Sequence, residues 1–363
     1  MILNGCDVIL EDRIIEGGAI ATDGERIRCV SAHPMEGDAV DLRGCYAVPG
    51  FVDIHCHGSA EAWFFDEPEK AAQWHLRQGT TSMLCSMWRN AGKYGYDRAL
   101  ENVKRAMEKG GNIRGVHMEG PYLDPEYGCE GGIPYPVNKE EYTALMKTGI
   151  IRTWTFDPEQ EGAEEFAACA QRAGIRLAVC YSRAKPETLE RYLDYGLSIG
   201  SHILCATGRP EAMFRGTKEP GSDEFVLCDD RMTAEVICDS MGGHVRPYWL
   251  KLIKKCKGAD RMALVSDCCA GGDTHGSDIN VINGELYGSQ LTLSVAIRNM
   301  RRHTGTDIVE LMRMASTTPA RTIGIYGERG SIAPGKMADI VILDRELNVC
   351  GVLLEGRFVR RDF

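Results

Sequence analysis

The sequence lacks the features that would assign it to a membrane or to nucleic acid. No stretch reaches the roughly 18 consecutive apolar residues of a membrane-spanning helix. The opening segment, MILNGCDVILEDRIIEGG, carries acidic residues where a signal peptide needs an uninterrupted apolar run. There is no run of lysine and arginine, and the net charge of −10 argues against a nucleic-acid surface. We therefore expect neither a membrane nor a nucleic acid as partner, and a small-molecule substrate is left open.

The cysteines lack the spacing of a structural zinc site or of a disulfide framework. Fifteen cysteines, an odd number, are scattered along the chain, and no CxxC occurs. Only Cys268 and Cys269 are adjacent. Zinc knuckles and disulfide-rich secreted domains show regular cysteine spacings instead. A reducing cytoplasm is therefore the expected location.

The two ends of the chain share one pattern, which differs from that of the middle. Of the 363 residues, 44% are hydrophobic and 26% are charged, which is ordinary for a globular protein. Residues 1–48 are typical of short strands and turns, and residues 329–363 resume the same pattern. We predict that the two ends together form one small β-sandwich domain.

The middle of the chain, residues 49–328, alternates apolar runs of strand length with helix-like stretches. Several of these stretches close on glycine, which readily caps a helix C-terminus. Eight strands alternating with helices predict an α/β fold, a (β/α)8 TIM-like barrel. A doubly wound sheet is the alternative, but no GxGxxG follows the first strand. The predicted strands span residues 51–58, 81–88, 113–120, 151–158, 176–182, 197–203, 234–244 and 262–267.

Ionisable residues gather at the ends of these strands, where a barrel of this type places its active site. His55 and His57 share one face of an extended strand, so both can reach one ion. Imidazole suits zinc, iron, nickel or cobalt, and a carboxylate such as Glu119 can complete the site. We expect His117 to support this site rather than to bind the ion. The residues at strand ends are His55, His57, His117, Glu119, His202, His244 and Asp267.

Six motifs occur in a fixed order from about residue 40 to the C-terminus. They are VPGFVDIHCHG, HMEGPYL, VSD, GSQLTLSVAIRNM, ASTTPARTIGI and GSIAPGKMADIVILD. Together they resemble the amidohydrolase superfamily, and specifically its N-acetylglucosamine-6-phosphate deacetylases. The resemblance implies a (β/α)8 barrel that carries a small β-sandwich built from both ends of the chain. It also implies a homodimer.

The chemistry implied by this resemblance is metal-assisted hydrolysis of an acetamide. A bound divalent metal lowers the pKa of its water from 15.7 to about 7, so that hydroxide is available near neutral pH. By resemblance, Asp267 takes the water's proton and passes it to the leaving amine. His244 then polarises the carbonyl and stabilises the oxyanion. The metal ligands that the resemblance implies are His55, His57, Glu119 and His202.

One position of the implied metal site departs from the family. The stretch AVCYSRA has Tyr181 where the family has a histidine ligand. A phenol with a pKa near 10 is a poor ligand at neutral pH. Neighbouring strand residues face opposite ways, so Cys180 and Tyr181 are not both expected to point inward. We therefore expect one ion rather than two, held by His55, His57 and Glu119, with Asp267 as a fourth candidate ligand. Zinc is the first choice, with Fe, Ni, Co and Mn as alternatives.

The positions expected to bind substrate depart further from the family. The family has an asparagine-alanine pair where this chain has Cys205 and Ala206, and Lys218 lies near a family arginine that grips phosphate. Lysine keeps the positive charge but loses the bidentate fork of arginine. The GGI stretch at 131–133 replaces a sugar-facing segment, and a YGS stretch follows at 287–289. The predicted substrate-binding residues are Cys205, Ala206, Lys218, Gly132, Tyr287, Gly288 and Ser289.

The leading hypothesis is a metal-dependent deacetylase of an amino-sugar phosphate. A second hypothesis keeps the barrel and the ion but assigns another amide, such as a non-phosphorylated N-acyl sugar, an N-acyl amino acid or a cyclic imide. A third is a catalytically silent homologue that serves as a binding or assembly scaffold. Tyr181 favours the third hypothesis, whereas the presence of Asp267 and His244 at strand ends opposes it.

Overall fold

The computed structural model describes residues 1–89, 95–128 and 134–363. Within these ranges, no helix combines the length and the apolar content that crossing a bilayer requires. The strands are β1 Ile2–Ile9, β2 Ile14–Asp23, β3 Arg26–Ser31, β4 Ala39–Asp41, β5 Tyr46–Pro49, β6 Phe51–Asp53, β7 Thr80–Trp88, β8 Ile113–Glu119, β9 Ile151–Phe156, β10 Arg176–Val179, β11 Leu197–Gly200, β12 Thr233–Ile237, β13 Met262–Val265, β14 Ile279–Ile282, β15 Glu285–Ser289, β16 Ile340–Leu343, β17 Val349–Leu354 and β18 Arg357–Arg361. The helices are α1 Pro68–Arg77, α2 Tyr96–Glu108, α3 Lys139–Met146, α4 Ala163–Arg172, α5 Pro186–Leu193, α6 Ser222–Cys228, α7 Pro247–Lys257, α8 Leu293–Thr304, α9 Ile308–Met312 and α10 Thr318–Thr322.

Eight parallel strands, β6 to β13, form the central barrel. They lie side by side in chain order, and one helix from α1 to α7 occupies each connection. The barrel strands are buried along almost their whole length, β7 for example at eight of its nine residues. Strands covered on both faces have near-continuous apolar sequences, which is why the sequence shows eight apolar runs. The predicted (β/α)8 fold is confirmed.

The first and last barrel strands meet through hydrogen bonds just beyond their ends. The Asp267 backbone N–H donates to the His55 carbonyl at 2.9 Å, and the His57 N–H donates to the Cys268 carbonyl at 2.8 Å. At the same seam, the buried Asp53 carboxylate accepts from the backbone N–H of His55 at 3.3 Å. Strand-like pairing thus continues past β6. The two-residue alternation that places His55 and His57 on one face continues with it.

The two ends of the chain build a second sheet beside the barrel. Its strands lie in the order β18-β17-β16-β5-β1-β2-β3, with β4 paired to β1. Most neighbours are antiparallel, and β16 from the C-terminal part pairs directly with β5 from the N-terminal part. Apolar residues of both parts share one buried cluster, which includes Leu3, Ile20 and Ile340. The predicted module built from both ends is therefore present, and its boundaries at residues 48 and 329 stay a prediction.

The barrel strands end earlier than the apolar runs predict. The first ends at Asp53 rather than at residue 58, and the seventh ends at Ile237 rather than at residue 244. After the seventh strand, the Asp239 carboxylate accepts hydrogen bonds from three backbone N–H groups of the next five residues. A side chain that binds its own backbone in this way turns the chain out of the sheet. The ionisable residues therefore lie mostly on the loops that follow the strands.

Candidate metal centre and active site

Three buried side chains converge at the carboxyl ends of the barrel strands. The ligand atoms of His55, His57 and Glu119 all lie within 4.8 Å of one another. His55 Nε2 lies 3.4 Å from Glu119 Oε1, and His57 Nε2 lies 3.2 Å from Glu119 Oε2. Glu119 is the last residue of β8, and the two histidines follow β6. Two imidazoles and a carboxylate in this arrangement form a donor set that suits zinc and other divalent first-row ions.

The orientation of His55 shows that this donor set fits a cation. His55 Nδ1 lies 2.9 Å from the carboxylate of Glu235, so that nitrogen carries the proton. His55 Nε2 faces Glu119, and this buried atom has no hydrogen-bond partner among the described residues. A carboxylate that orients a ligand imidazole through its other nitrogen is typical of protein metal sites. Glu235 was not among the predicted site residues, although an acidic residue inside the apolar strand TAEVI was a signal for it.

The charges of the buried side chains in this cluster balance one another. Burial alone raises the pKa of a carboxylate, but the charge of His55 and the hydrogen bonds from His202 and His57 hold the pKa of Glu119 well below its usual range. Burial lowers the pKa of His55, but Glu119 and Glu235 outweigh it and raise that pKa well above its usual value. Glu119 is therefore an ionised carboxylate, the form that binds a cation.

The Tyr181 hydroxyl contacts both Glu119 and His202. It donates to Glu119 Oε1 at 3.2 Å and lies 3.0 Å from His202 Nε2. His202 Nε2 lies 2.9 Å from Glu119 Oε1, and His202 Nδ1 donates to the Cys205 carbonyl at 3.0 Å. The hydroxyl thus contacts both members of a carboxylate–imidazole pair that are themselves in direct contact.

The expectation that Cys180 and Tyr181 face opposite ways is wrong. Cys180 Sγ lies 3.6 Å from His202 Nδ1, so both residues contact the same imidazole. Strand β10 ends at Val179, and Tyr181 has a φ of 47°, in the left-handed region. Side chains alternate only along extended backbone, and the extended backbone ends before these two residues.

Asp267 lies beside the two histidines and lines the cavity above them. Its Oδ1 is 3.1 Å from His57 Nε2 and 3.6 Å from His55 Nε2. Burial raises the pKa of Asp267, but the hydrogen bond from His57 and the charge of His55 lower it more. The side chain is 11% exposed, so solvent in the cavity can reach it. An ionised carboxylate in this position can accept a proton from a water molecule at the cluster.

His244 is held by Asp239, a carboxylate that sequence analysis missed. His244 Nδ1 lies 3.0 Å from Asp239 Oδ2, and His244 Nε2 donates to the Gly288 carbonyl at 2.9 Å. Burial raises the pKa of Asp239, but the hydrogen bonds from His244 and from the Gly243 backbone lower it below its usual value. Gly288 lines the cavity, so His244 Nε2 faces the cavity wall.

His117 packs against the cluster, and its ring nitrogens face hydroxyl groups instead of the ligand atoms. Its Nδ1 lies 2.9 Å from the Ser86 hydroxyl, and its Nε2 lies 2.8 Å from the Thr155 hydroxyl. Its ring packs edge-on against that of His55, with 4.4 Å between the ring centroids. Both nitrogens are thus engaged by hydroxyl groups, and the ring fixes the position of His55 by contact.

A cavity of about 580 Å³, counting the part open to solvent, lies over the cluster. Five residues predicted from the sequence line it, namely His57, Glu119, Asp267, Tyr287 and Gly288. The other lining residues are Trp63, Trp88, Arg89, Leu123, Tyr127, Gly128, Tyr181 and Cys269. Trp88 and Arg89 come at the end of the second apolar run. The expectation that a barrel places its active site at the strand ends could therefore have identified them.

Four further residues predicted to bind substrate lie outside the cavity lining. In the loop after β11, Cys205 is half-buried, and Ala206 and Lys218 are exposed. Ser289 is fully buried, and its hydroxyl donates at 2.6 Å to a backbone carbonyl just after β13. Gly132 lies outside the described residues. Substrate contacts of these five residues stay a prediction.

Known proteins resemble this chain in both sequence and fold. The model of the amidohydrolase family matches residues 46–182 and 236–359. The N-acetylgalactosamine-6-phosphate deacetylase of Escherichia coli O157:H7 is 29% identical, over 85% of this chain and 86% of that protein. The N-acetylglucosamine-6-phosphate deacetylase of Lysinibacillus sphaericus is 27% identical, over 94% of this chain and 92% of that protein.

A solved structure agrees with this assignment over nearly the whole chain. The crystal structure of N-acetyl-D-glucosamine-6-phosphate deacetylase from Mycobacterium smegmatis superposes with a TM-score of 0.85 at 26% identity. The match covers 99% of this chain and 100% of that one. The family match spans both the barrel segment that carries His55, His57 and Glu119 and the segment that carries His244 and Asp267. The chain belongs to the amidohydrolase family.

Proposed function

We propose that this protein is a metal-dependent hydrolase that removes the N-acetyl group from an amino-sugar phosphate. The observation that carries the proposal is the convergence of His55, His57 and Glu119 under a cavity that Asp267 also lines. The similar proteins from Escherichia coli O157:H7 and Lysinibacillus sphaericus, which are named as deacetylases of N-acetyl amino-sugar phosphates, support the reaction and the substrate class.

The proposed cofactor is a single divalent ion, and zinc is the first choice. His55, His57 and Glu119 would hold it, with Asp267 at the edge of the same cluster. Imidazole and carboxylate ligands suit zinc but also admit Fe, Ni, Co and Mn. The proposal of one ion rests on Tyr181, which stands where the family has a histidine ligand and whose hydroxyl contacts both Glu119 and His202.

The chemistry divides between the ion and the side chains. A divalent ion at this place lowers the pKa of water and so makes hydroxide available near neutral pH. Asp267 accepts the proton of the water whose oxygen adds to the acetyl carbonyl carbon. When the C–N bond breaks, Asp267 returns this proton to the leaving nitrogen. A free amine and acetic acid result, and the acid releases its proton to solvent to give acetate. His244 donates a hydrogen bond to the oxyanion once its Nε2 leaves the Gly288 carbonyl.

Two alternative functions are compatible with the same fold. An amidohydrolase of another amide would keep the ion and Asp267 but would recognise an N-acyl amino acid, a cyclic imide or an unphosphorylated sugar. A catalytically silent homologue would bind without turnover. The position of Asp267, ionised and open to the cavity beside the ligand cluster, favours an enzyme over a silent protein.

Turnover of N-acetylglucosamine-6-phosphate and N-acetylgalactosamine-6-phosphate, followed by acetate release, tests the proposed reaction. We expect the zinc-loaded protein to release acetate, and Asp267→Asn to lower kcat by roughly 100- to 10,000-fold because it removes the proton acceptor. Metal content should stay close to that of the unchanged protein. Asp273→Asn, an exposed aspartate in the loop after β13, is the control and should retain full activity. Full activity of Asp267→Asn would remove the assigned role.

A change of Tyr181 tests the number of ions. A histidine side chain ends roughly 2 Å short of the position of a tyrosine hydroxyl, and this is about the length of one zinc–nitrogen bond. In Tyr181→His, an ion can therefore replace the hydroxyl that contacts Glu119 and His202. We expect inductively coupled plasma mass spectrometry to find about one zinc per chain in the unchanged protein and about two in Tyr181→His. Two ions per chain in the unchanged protein would contradict the proposal.

We also propose a cytoplasmic homodimer. The fourteen cysteines in the described ranges are all free thiols, which suits a reducing compartment. Helix α7 exposes Tyr248 and Trp249 by 85% and 44%, together with Leu252 one turn further on. Apolar side chains grouped on one helix commonly mark a protein–protein interface. Light scattering at micromolar concentration should give the mass of two chains, and the mass of one chain would contradict the dimer.

A further inference from the structure

Arg89 presents a positive charge to the cavity from the end of β7. Its Nη2 donates to the backbone carbonyls of Leu123 and Asp124, both at 3.2 Å, so the guanidinium is anchored to the loop after β8. Its Nε is buried and has no hydrogen-bond partner among the described residues. The anchored side chain is thus held in one orientation and retains unused donor capacity.

Arg89 has no carboxylate partner within ion-pair distance in the described ranges, whereas many other arginines of this chain do. The nearest acidic residue along the anchoring loop is Asp124, but its carboxylate lies 3.0 Å from Arg183 Nε and is already paired. Burial lowers the pKa of Arg89, which shows that the surroundings disfavour its charge. Placing a half-buried cation beside no negatively charged group costs free energy, and an anion that binds next to it offsets this cost.

An aromatic wall connects Arg89 with the ligand cluster. The rings of Trp63 and Trp88 lie 4.7 Å apart, and Trp88 packs edge-on against His57 with 5.7 Å between the centroids. Phe65 extends the wall at 5.3 Å from Trp88. A sugar ring or an apolar side chain can lie against such a wall while its amide reaches the ligand cluster. The cavity therefore offers a hydrolytic end, an aromatic wall and a cationic group.

We infer that Arg89 pairs with an anionic group of the substrate, a phosphate or a carboxylate, while Trp63 and Trp88 cover the ring or side chain between that group and the amide. This inference rests on the proposed function, because it assigns the substrate class of the same cavity. It makes Arg89, and not the exposed Lys218, the residue that determines specificity for an anion. Arginine suits this task because its planar fork binds phosphate and carboxylate through two hydrogen bonds.

The test compares Arg89→Met and Arg89→Lys on matched pairs of anionic and neutral substrates. One pair is N-acetylglucosamine-6-phosphate with N-acetylglucosamine, and the other is N-acetylphenylalanine with its neutral amide. For the anionic member that the enzyme uses, Arg89→Met should raise KM about 10- to 100-fold and leave kcat within about twofold. The neutral member should change by less than twofold, and Arg89→Lys should lie between. Arg28→Met, an exposed residue on β3, controls for the loss of one charge.

A binding measurement separates this inference from the proposed reaction. Calorimetric titration of the zinc-loaded protein with glucosamine-6-phosphate and with N-acetylphenylalanine needs no turnover. If the unchanged protein binds either anion and Arg89→Met binds it at least tenfold more weakly, the inference stands even where no acetate is released. The inference is overturned if Arg89→Met binds and turns over the anions as the unchanged protein does. It is also overturned if Arg89→Met affects the anionic and neutral members equally.

Discussion

The whole site depends on one buried carboxylate, that of Glu119, and on the positive charge that must accompany it. Three imidazoles and one hydroxyl lie within 3.4 Å of its two oxygens, and the three imidazoles are buried. A charge taken out of water is costly unless partners surround it. Glu119 at the end of β8 therefore determines where histidines from several other strand ends can lie. The buried Glu119 carboxylate requires nearby positive charge. Either protons on those histidines or a bound divalent ion can supply it.

Around this centre, the fold adds carboxylates that act through the histidines. Glu235 orients His55, and Asp239 orients His244, each through Nδ1. The barrel explains both carboxylate–histidine contacts. Its parallel strands bring their carboxyl ends together at one end of the barrel, whatever their distance along the chain. The seam between β6 and β13 adds Asp267 to the same place through backbone pairing with His55. The result is a hydrolytic centre at one end of a cavity that extends along aromatic side chains to Arg89.

The sequence predicted the parts of this structure that repeat, and it missed those that depend on loop geometry. Eight buried strands appear in the sequence as eight apolar runs, so the barrel was predictable. The shared face of His55 and His57 was predictable too, because strand-like pairing continues past β6 through the HxH motif. Tyr181 and Cys180 escaped the alternation rule because the chain leaves the extended region before them. Lys218 was placed by its position relative to a family arginine, but it lies on an exposed loop. Glu235 and Arg89 left local signals, an acidic residue in an apolar strand and a cation at a strand end, but their contacts are with residues distant in sequence.

The most direct test of the account is the zinc content of the protein after a change of its central carboxylate. Glu119→Gln keeps the shape of the side chain but removes the negative charge that gathers the ligands. Equilibrium dialysis against zinc should give about one ion per chain for the unchanged protein and for Glu140→Gln, an exposed control on α3. For Glu119→Gln it should give an empty site. Full occupancy in Glu119→Gln would show that the ion binds elsewhere and would contradict the assignment of this cluster.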